Sequence, residues 1–505
     1  KPDSYAYSDF DKGDVFHSVN DQSQEQSVEC SMEMCTAAAI YKIRTENPQR
    51  ITIDIPLEDS EKSSDSPVIE QSWEDCLKYS CMLQMKNHQF KFLFDASMRT
   101  LLTLATKDVY AGPYTYKRFW FRDAVFISYA LLCCGFHKRV EKIIDQFEDR
   151  QKLNGYFESQ EGEWDSNGQV LWLIQKYCQF TNSKPKAEWK NMIFKGARWI
   201  VKKRLRDESS KPHSGLMPAG FSAEHFGPNN YYYWDNFWSL AGLQAGKNLF
   251  GQYGDHKHAH IIEEEAESLS KCIQKSFEYV YARSHSFAMP SSPYRRLDSA
   301  SVGSLVAGYP LQQWNSQDER LIDTVIFLMD NCLIHDGFFH DMSHSGINPY
   351  LTLHIAQVLL RAGDSRYLQL MKGIADLASP TGQWPEAVHP ITRGGCMGDG
   401  QHTWAAAEWI MMIRNCFVRE EDDDRLILCS GISQDWVNAS DDISFGPVST
   451  AFGNITIKIR KEGRKAVVQW KGKWHSKEPR IEVRFPESEP IQVSKNKRRI
   501  EAQLI

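Results

Sequence analysis

Seven carboxylates stand in loops dense with Gly, Pro, Trp and Tyr: Asp123, Glu163, Asp165, Glu224, Asp235, Glu386 and Asp399. Glu386 is the most conspicuous. It lies between Trp384 and His389 in Gly382-Gln-Trp-Pro-Glu-Ala-Val-His-Pro390, and Arg393-Gly-Gly-Cys-Met-Gly-Asp-Gly-Gln-His402 then leads into an apolar run. Loops that combine aromatics, a carboxylate and glycines suit ligand contact, because a rigid scaffold positions them and Gly lets backbone approach closely. Two such carboxylates can cleave a glycosidic bond. One protonates the leaving oxygen; in the inverting arrangement the other activates water on the opposite face, about 6.5–9.5 Å away. Trp and Tyr present flat apolar faces with a polar handle, suited to the C–H faces of sugar rings. The chain is rich in both, with 15 Trp and 20 Tyr, although packing of a large helical core accounts for most of them.

The elements that must hold these loops are helical from about 73 to 417, where apolar residues recur at helical spacing between Gly, Pro, Asn and Ser clusters. The pattern predicts helices near 73–105, 119–135, 137–150, 166–182, 186–206, 234–250, 254–280, 299–307, 318–332, 349–362, 365–378 and 401–416. Every second helix follows an elaborate loop. These loops end at Phe119-Trp-Phe-Arg-Asp123, Gly162-Glu-Trp-Asp-Ser-Asn-Gly168, Gly227-Pro-Asn-Asn-Tyr-Tyr-Tyr-Trp-Asp235, Asp298-Ser-Ala-Ser301, Gly346-Ile-Asn-Pro-Tyr350 and Gly382 to Trp404. The intervening turns, such as Gly135-Phe-His137, carry no such chemistry. Six hairpins with all elaborate loops on one side predict a mainly α fold, an (α/α)6 toroid. Its inner helices point their N-terminal N–H groups at the site. An open α-solenoid would show a repeat of uniform length, and none is visible.

The flanks are different. Ala37 to Arg44 and Arg50 to Ile55 alternate like strands, and Glu58 to Ser66 is an acidic, Ser-rich linker. Beyond about 424, Gly453 to Arg460, Lys465 to Trp474, Arg480 to Phe485 and Ile491 to Ser494 read as short strands at sandwich spacing. The expected organisation is a strand-containing segment and linker over 1–72, the barrel over 73–420 and a small accessory β-sandwich-like domain over 421–505. Strands from residues 1 to 55 are candidates to complete that domain. Net charge is −6, which gives no basic field for nucleic acid. No apolar run reaches the roughly 20 residues of a membrane span. Of twelve cysteines, Cys133, Cys134, Cys178, Cys272, Cys332 and Cys416 sit in apolar helix patterns, as free thiols do in a reducing compartment, so a cytoplasmic location is expected. No metal or cofactor is expected. The chain begins at Lys1 without a signal peptide, which suggests a trimmed or processed N-terminus.

Five stretches in order resemble the glucoamylases and their relatives among inverting glycosidases of six-hairpin type, the glycogen-debranching enzymes included. Phe121-Arg-Asp123 resembles Trp-x-Arg-Asp; Asp165-Ser-Asn-Gly-Gln169 stands where the family has Asp-Gly-Pro; Tyr233-Trp-Asp-Asn236 stands where it has Trp-Glu-Glu. Asn348-Pro-Tyr-Leu351 resembles the stretch before the tenth helix, and Trp384-Pro-Glu386 the Ser-Glu-Gln that presents the base. The resemblance implies an exo-acting inverting hydrolase of α-linked glucosides or oligosaccharides, with Asp235 as general acid and Glu386 as general base. Arg122 and Asp123 would grip the terminal sugar between walls formed by Trp120, Trp164, Trp234 and Trp384. Asp165, Glu224, Tyr350, His389, Gln401 and His402 complete the expected substrate contacts, with Glu224 a reserve acid. Asp235 departs from the family's Glu, which makes it nearer the trehalase and processing-glucosidase branch.

Blander roles compete for the same residues. Arg122-Asp123 could be a structural ion pair, and Asp165 or Asp235 could simply cap a helix. The same toroid also hosts phosphorylases, epimerases with His or Tyr as acid and base, and non-catalytic sugar binders. Arg393-Gly-Gly could serve a phosphorylase as an anion nest, although a loop carboxylate such as Glu386 argues against one.

Overall fold

The computed structural model describes residues 2–9, 15–21, 35–43, 52, 73–78, 80–106, 108–208, 210–222, 228–342, 345–422, 424–439, 442–485 and 488–503. The chain forms two compact units, Lys1–Tyr79 with Ile391–Gly394, and Ser80–Pro390 with Gly395–Ile505. In the first, β1 (Ser4–Asp9) pairs antiparallel with β2 (Cys35–Ile40), and α1 (Trp73–Leu77) is a short helix. The linker expected at 58–66 lies outside the described residues, as does the strand expected at 50–55 apart from residue 52.

The second unit contains β3 (Met82–Gln84) and the helices α2 (His88–Leu104), α3 (Phe121–Cys133), α4 (His137–Asp145), α5 (Ser166–Thr181), α6 (Trp189–Lys203), α7 (Tyr233–Gln252) and α8 (His256–Ser284). After the 3₁₀ helix Ser299–Ala307 come α9 (Glu319–Asn331), α10 (Pro349–Ala362), α11 (Tyr367–Asp376) and α12 (Thr403–Phe417). Neighbour contacts close a ring of α3, α5, α7, the 3₁₀ helix, α10 and α12, and α12 returns to α3. Outside it run α2, α4, α6, α8, α9 and α11. This is the six-hairpin (α/α)6 toroid.

Sequence character sorts the two rings. A helix that is apolar on every side must be buried on every side, whereas a surface helix buries one stripe. All residues of α3 and α12 are buried, but α4 buries only Val140, Ile143 and Ile144. The single helix expected over 73–105 is broken instead. Met82–Gln84 pairs with a C-terminal strand, and α2 restarts at Asn87, whose side chain accepts from the Phe90 N–H at 3.0 Å. Tertiary pairing overrides the local helical pattern there. The eighth helix is 3₁₀, in a stretch of Ser, Val and Gly with weak α propensity. A capping box between Asp298 and Ser301 starts it.

Five short strands cross the site face: β4 (Leu333–Ile334), β5 (Gly337–His340), β6 (Gly346–Ile347), β7 (Ala387–Val388) and β8 (Gly395–Met397), paired in that order. The C-terminal strands are β9 (Val418–Glu421), β10 (Arg425–Leu428), β11 (Asp442–Thr450), β12 (Gly453–Glu462), β13 (Lys465–Trp474), β14 (Arg480–Val483), β15 (Ile491–Val493) and β16 (Arg499–Gln503), with helix α13 (Gln434–Ala439) between β10 and β11. They form sheets in the orders β15-β14-β10-β9 and β16-β13-β12-β11-β3. Phe445 of β11 stacks on Phe417 at the end of α12, ring centroids 4.8 Å apart, and meets Phe94 of α2 edge-on. These strands are thus packed onto the barrel, in the same compact unit. Among the described residues no helix is long and apolar enough to cross a membrane. The described cysteines are free, and Cys133, Cys134, Cys178, Cys272 and Cys416 are buried.

Candidate active site

A cavity of about 290 Å³ opens among the starts of the inner helices. Three carboxylates line it, Asp123, Glu163 and Glu386, together with Arg122 and His402. Its aromatic surfaces are Tyr116, Trp120, Phe221 and Trp404. That volume is near the roughly 300 Å³ lower bound of small-molecule sites.

Glu386 directly precedes β7, which pairs with β6 through Ile347–Val388 and with β8 through Ala387–Met397. The loop read from its glycines and prolines therefore contains strands, and these hold the carboxylate at the cavity. The Tyr116 hydroxyl donates a hydrogen bond to Glu386 Oε2. Tyr116 is itself anchored from behind: Asp399 accepts the N–H groups of Tyr114, Thr115 and Tyr116 at 2.9, 2.7 and 3.0 Å. Burial alone would raise the Asp399 carboxyl, but these hydrogen bonds outweigh it and hold its pKa below the usual value. Two glycines make the arrangement fit. A Cβ on Gly112 would lie 2.4 Å from Asp399 Oδ2. Gly398, at φ +70°, would press a Cβ to 3.0 Å from the Tyr116 ring and 3.1 Å from Glu386 Cβ. Burial, then the charge of Glu386, pushes the Tyr116 phenol well up, so it remains a neutral donor.

The opposite wall is built on Arg122. Its Nη1 lies 3.5 Å from Glu163 Oε2 and 3.4 Å from Asp165 Oδ2. Asp165 Oδ2 also accepts from Trp234 Nε1 at 2.8 Å and Gln169 Nε2 at 3.0 Å. Asp165 occupies the N-cap position of α5 yet makes no side-chain cap bond. It ties three inner helices together. Asp123, buried beside Arg122, has its pKa raised to about 7: desolvation dominates, Arg122 opposes it, and Glu386 and Glu163 add to it. His402 Nε2 lies 3.9 Å from Asp123 Oδ1.

The cavity thus gathers five of the expected residues: Trp120, Arg122, Asp123, Glu386 and His402. It leaves others behind it. Asp235 lies within the first turn of α7, whose N-cap is Tyr232, and is 1% exposed. It is neither a cap nor one of the described lining residues. Trp234 is buried with Asp165. The Trp164 indole packs against Tyr156 and Trp199, which stack on each other, and lies under Lys203. Trp384 is 1% exposed, rests on Trp409 and donates to the Ile374 carbonyl at 2.8 Å, so it braces the barrel toward α11. Tyr350 is fully buried against Trp404, ring centroids 4.2 Å apart. Gln401 donates to Thr100 on α2, and His389 is not among the described lining residues. Glu224 lies outside the described residues.

Three aromatic cavity residues, Tyr116, Phe221 and Trp404, escaped the expected set. Tyr116 stands four residues before Trp120 in Tyr114-Thr-Tyr-Lys-Arg-Phe-Trp120, and that density of aromatics is a usable signal. Trp404, stacked between Phe126 and Tyr350, was visible only as part of the last helix.

Fold and cavity together define the class: a six-hairpin (α/α)6 toroid with a carboxylate-lined pocket at the N-terminal ends of its inner helices. The chain is similar in structure to the α-L-rhamnosidase of Dictyoglumus thermophilum, with TM-score 0.54 and 13% identity over 80% of this chain and 45% of that one. It thus spans less than half of that enzyme's length. It is also similar to the glucoamylase of Saccharomycopsis fibuligera, with TM-score 0.50 and 13% identity over 66% of this chain and 96% of that one. Identity this low speaks for the fold. No family model and no curated protein matches the chain.

Proposed function

We propose that this protein is a glycoside hydrolase, an exo-acting inverting enzyme for α-linked glucosides or oligosaccharides, with Glu386 as general base. The observation that carries this reading is the Asp399–Tyr116–Glu386 chain: an oriented carboxylate in a small cavity with aromatic walls. A base must hold one geometry toward its water, and the Tyr116 hydrogen bond gives Glu386 that geometry. Arg122 and Asp123 supply a cationic donor and a carboxyl for the hydroxyls of a terminal sugar, and Trp120 and Trp404 supply apolar faces.

The acid in this reading is Asp235, at the start of α7 beside the Trp234–Asp165–Arg122 chain. Its position in the resemblance supports it. A second reading has Glu163 as the acid. In its favour, Glu163 lines the cavity and Asp235 is not among the described lining residues. Aryl glycosides with good and poor leaving groups separate the two. Loss of the acid slows a poor leaving group far more than a good one, so Asp235→Asn and Glu163→Gln give opposite outcomes under the two readings. NMR detection of the first-released anomer tests inversion, and a retained anomer rejects it. Wild-type turnover by Glu386→Gln on a confirmed substrate rejects the base.

A further inference from the structure

A second cavity, of about 510 Å³, lies on the outer wall between α8 and the start of α9 and shares no described lining residue with the pocket at Glu386. Its chemistry differs from that of ordinary protein surface. Gln274, Phe277, Glu278 and Tyr281 line it from one face of α8, at helical spacing i, i+3, i+4 and i+7. Tyr281 and Phe287 stack on each other with ring centroids 4.5 Å apart, yet they are 43% and 42% exposed. They form a prebuilt aromatic platform open to solvent. The facing wall is rigid. Arg320 makes a two-pronged pair with Asp318 at 2.8 and 2.7 Å, donates to Gln274 at 2.8 Å, and lies 3.6 Å over the Trp314 ring. Glu278 and Glu319 are exposed on either side, with carboxylates available to hydroxyl donors.

An aromatic face takes the apolar side of a pyranose, while carboxylate and amide groups around it take the equatorial hydroxyls. The cavity has both, with polar groups on two sides of an apolar floor. Its acidic rim disfavours anionic ligands. We infer that this groove is a second carbohydrate-binding site, one that seats a short run of a neutral glycan chain on the Tyr281–Phe287 platform. Such a site would hold a polymer on the protein independently of the pocket. The inference needs binding only, so it stands or falls apart from the hydrolytic reading.

Affinity electrophoresis of the full chain in native gels tests it, with glycogen, soluble starch, dextran, xyloglucan and mixed-linkage β-glucan as separate probes. The wild type should be retarded by at least one of these neutral glycans. Tyr281→Ala and Phe287→Ala should each weaken that retardation about five- to tenfold, the scale of one lost aromatic contact. Glu278→Ala, an exposed polar change that leaves the stack intact, should weaken it about two- to fivefold, the scale of a hydrogen bond. Glu386→Gln and Trp120→Ala should be retarded as the wild type is, whatever their effect on hydrolysis. The inference is overturned if none of the probes retards the wild type, or if all three groove variants match it. It is equally overturned if the pocket variants abolish retardation, or if the groove variants alter only sedimentation, which would mark a protein contact.

Discussion

The two flanks of the pocket have similar sequence signatures and different structures. On one, Trp384-Pro-Glu386 places its carboxylate at the cavity and its tryptophan in the core. On the other, Trp234 and Asp235 are both buried and are not among the described lining residues, and the cavity wall is formed by Arg122, Asp123 and Glu163. Backbone and packing together make the difference. Glu386 sits where a loop enters a two-residue strand, whose neighbours on both sides direct it to the cavity. Asp235 sits in the first turn of α7, as Asp123 does in that of α3, but the side chains packed around it leave it 1% exposed. An aromatic–carboxylate pair in sequence thus marks a site without telling which of its members faces the ligand.

Breaking the first flank should have the largest effect. Glu386→Gln keeps the shape and removes the proposed base, so kcat on an aryl glycoside should fall about 10²–10⁴-fold while sugar binding, read by calorimetry, persists. Next comes the contest on the second flank: of Asp235→Asn and Glu163→Gln, the Asp235 variant should lose about 10²–10⁴-fold on poor leaving groups, and the Glu163 variant should mainly raise KM. The reverse ranking would transfer the acid to Glu163.

Asp123 gives a third test, through pH. Its folded pKa of about 7 exceeds the ordinary aspartate value of 3.8, so between those values the folded state holds a proton that the unfolded chain has released. Stability from this group is therefore full below about pH 4 and declines as pH rises to about 7. Asp123→Asn should remove that decline, on the order of a few kcal/mol, in urea melts at pH 4.5 and 7.5. An unchanged pH slope would contradict the assignment. Trp384→Phe should cost about 1–3 kcal/mol of stability through the lost volume and the lost hydrogen bond to the Ile374 carbonyl, with KM unchanged. A KM effect without destabilisation would return Trp384 to the pocket wall. The smallest effect belongs to Asp399→Asn, which weakens the anchor behind Tyr116. A fall in kcat of up to about tenfold, with little change in KM, distinguishes an oriented Glu386 from one that finds its own position.

The ring itself was legible in the residues. Helices that are almost wholly apolar beyond their first turn, such as Phe121–Cys133, alternate with one-striped helices such as His137–Asp145, and elaborate loops precede only the former. Burial patterning and turn chemistry are local properties, so composition and spacing reveal them. Trp120, Arg122, Asp123, Glu386 and His402 were legible for the same reason, each standing at a loop-to-element junction. Other decisions required residues far apart in the chain. Met82–Gln84 became a strand because β11, more than 300 residues later, offered it an edge. Asp165 became a junction and not a cap because Arg122 and Trp234 converged on it. Tyr116 became the partner of Glu386 because Asp399 drew its loop inward. The sequence by itself determined which helices are inner, where the loops gather and which residue types meet there. Only the tertiary structure decided which side chains face the cavity, because direction depends on neighbours that local spacing does not name.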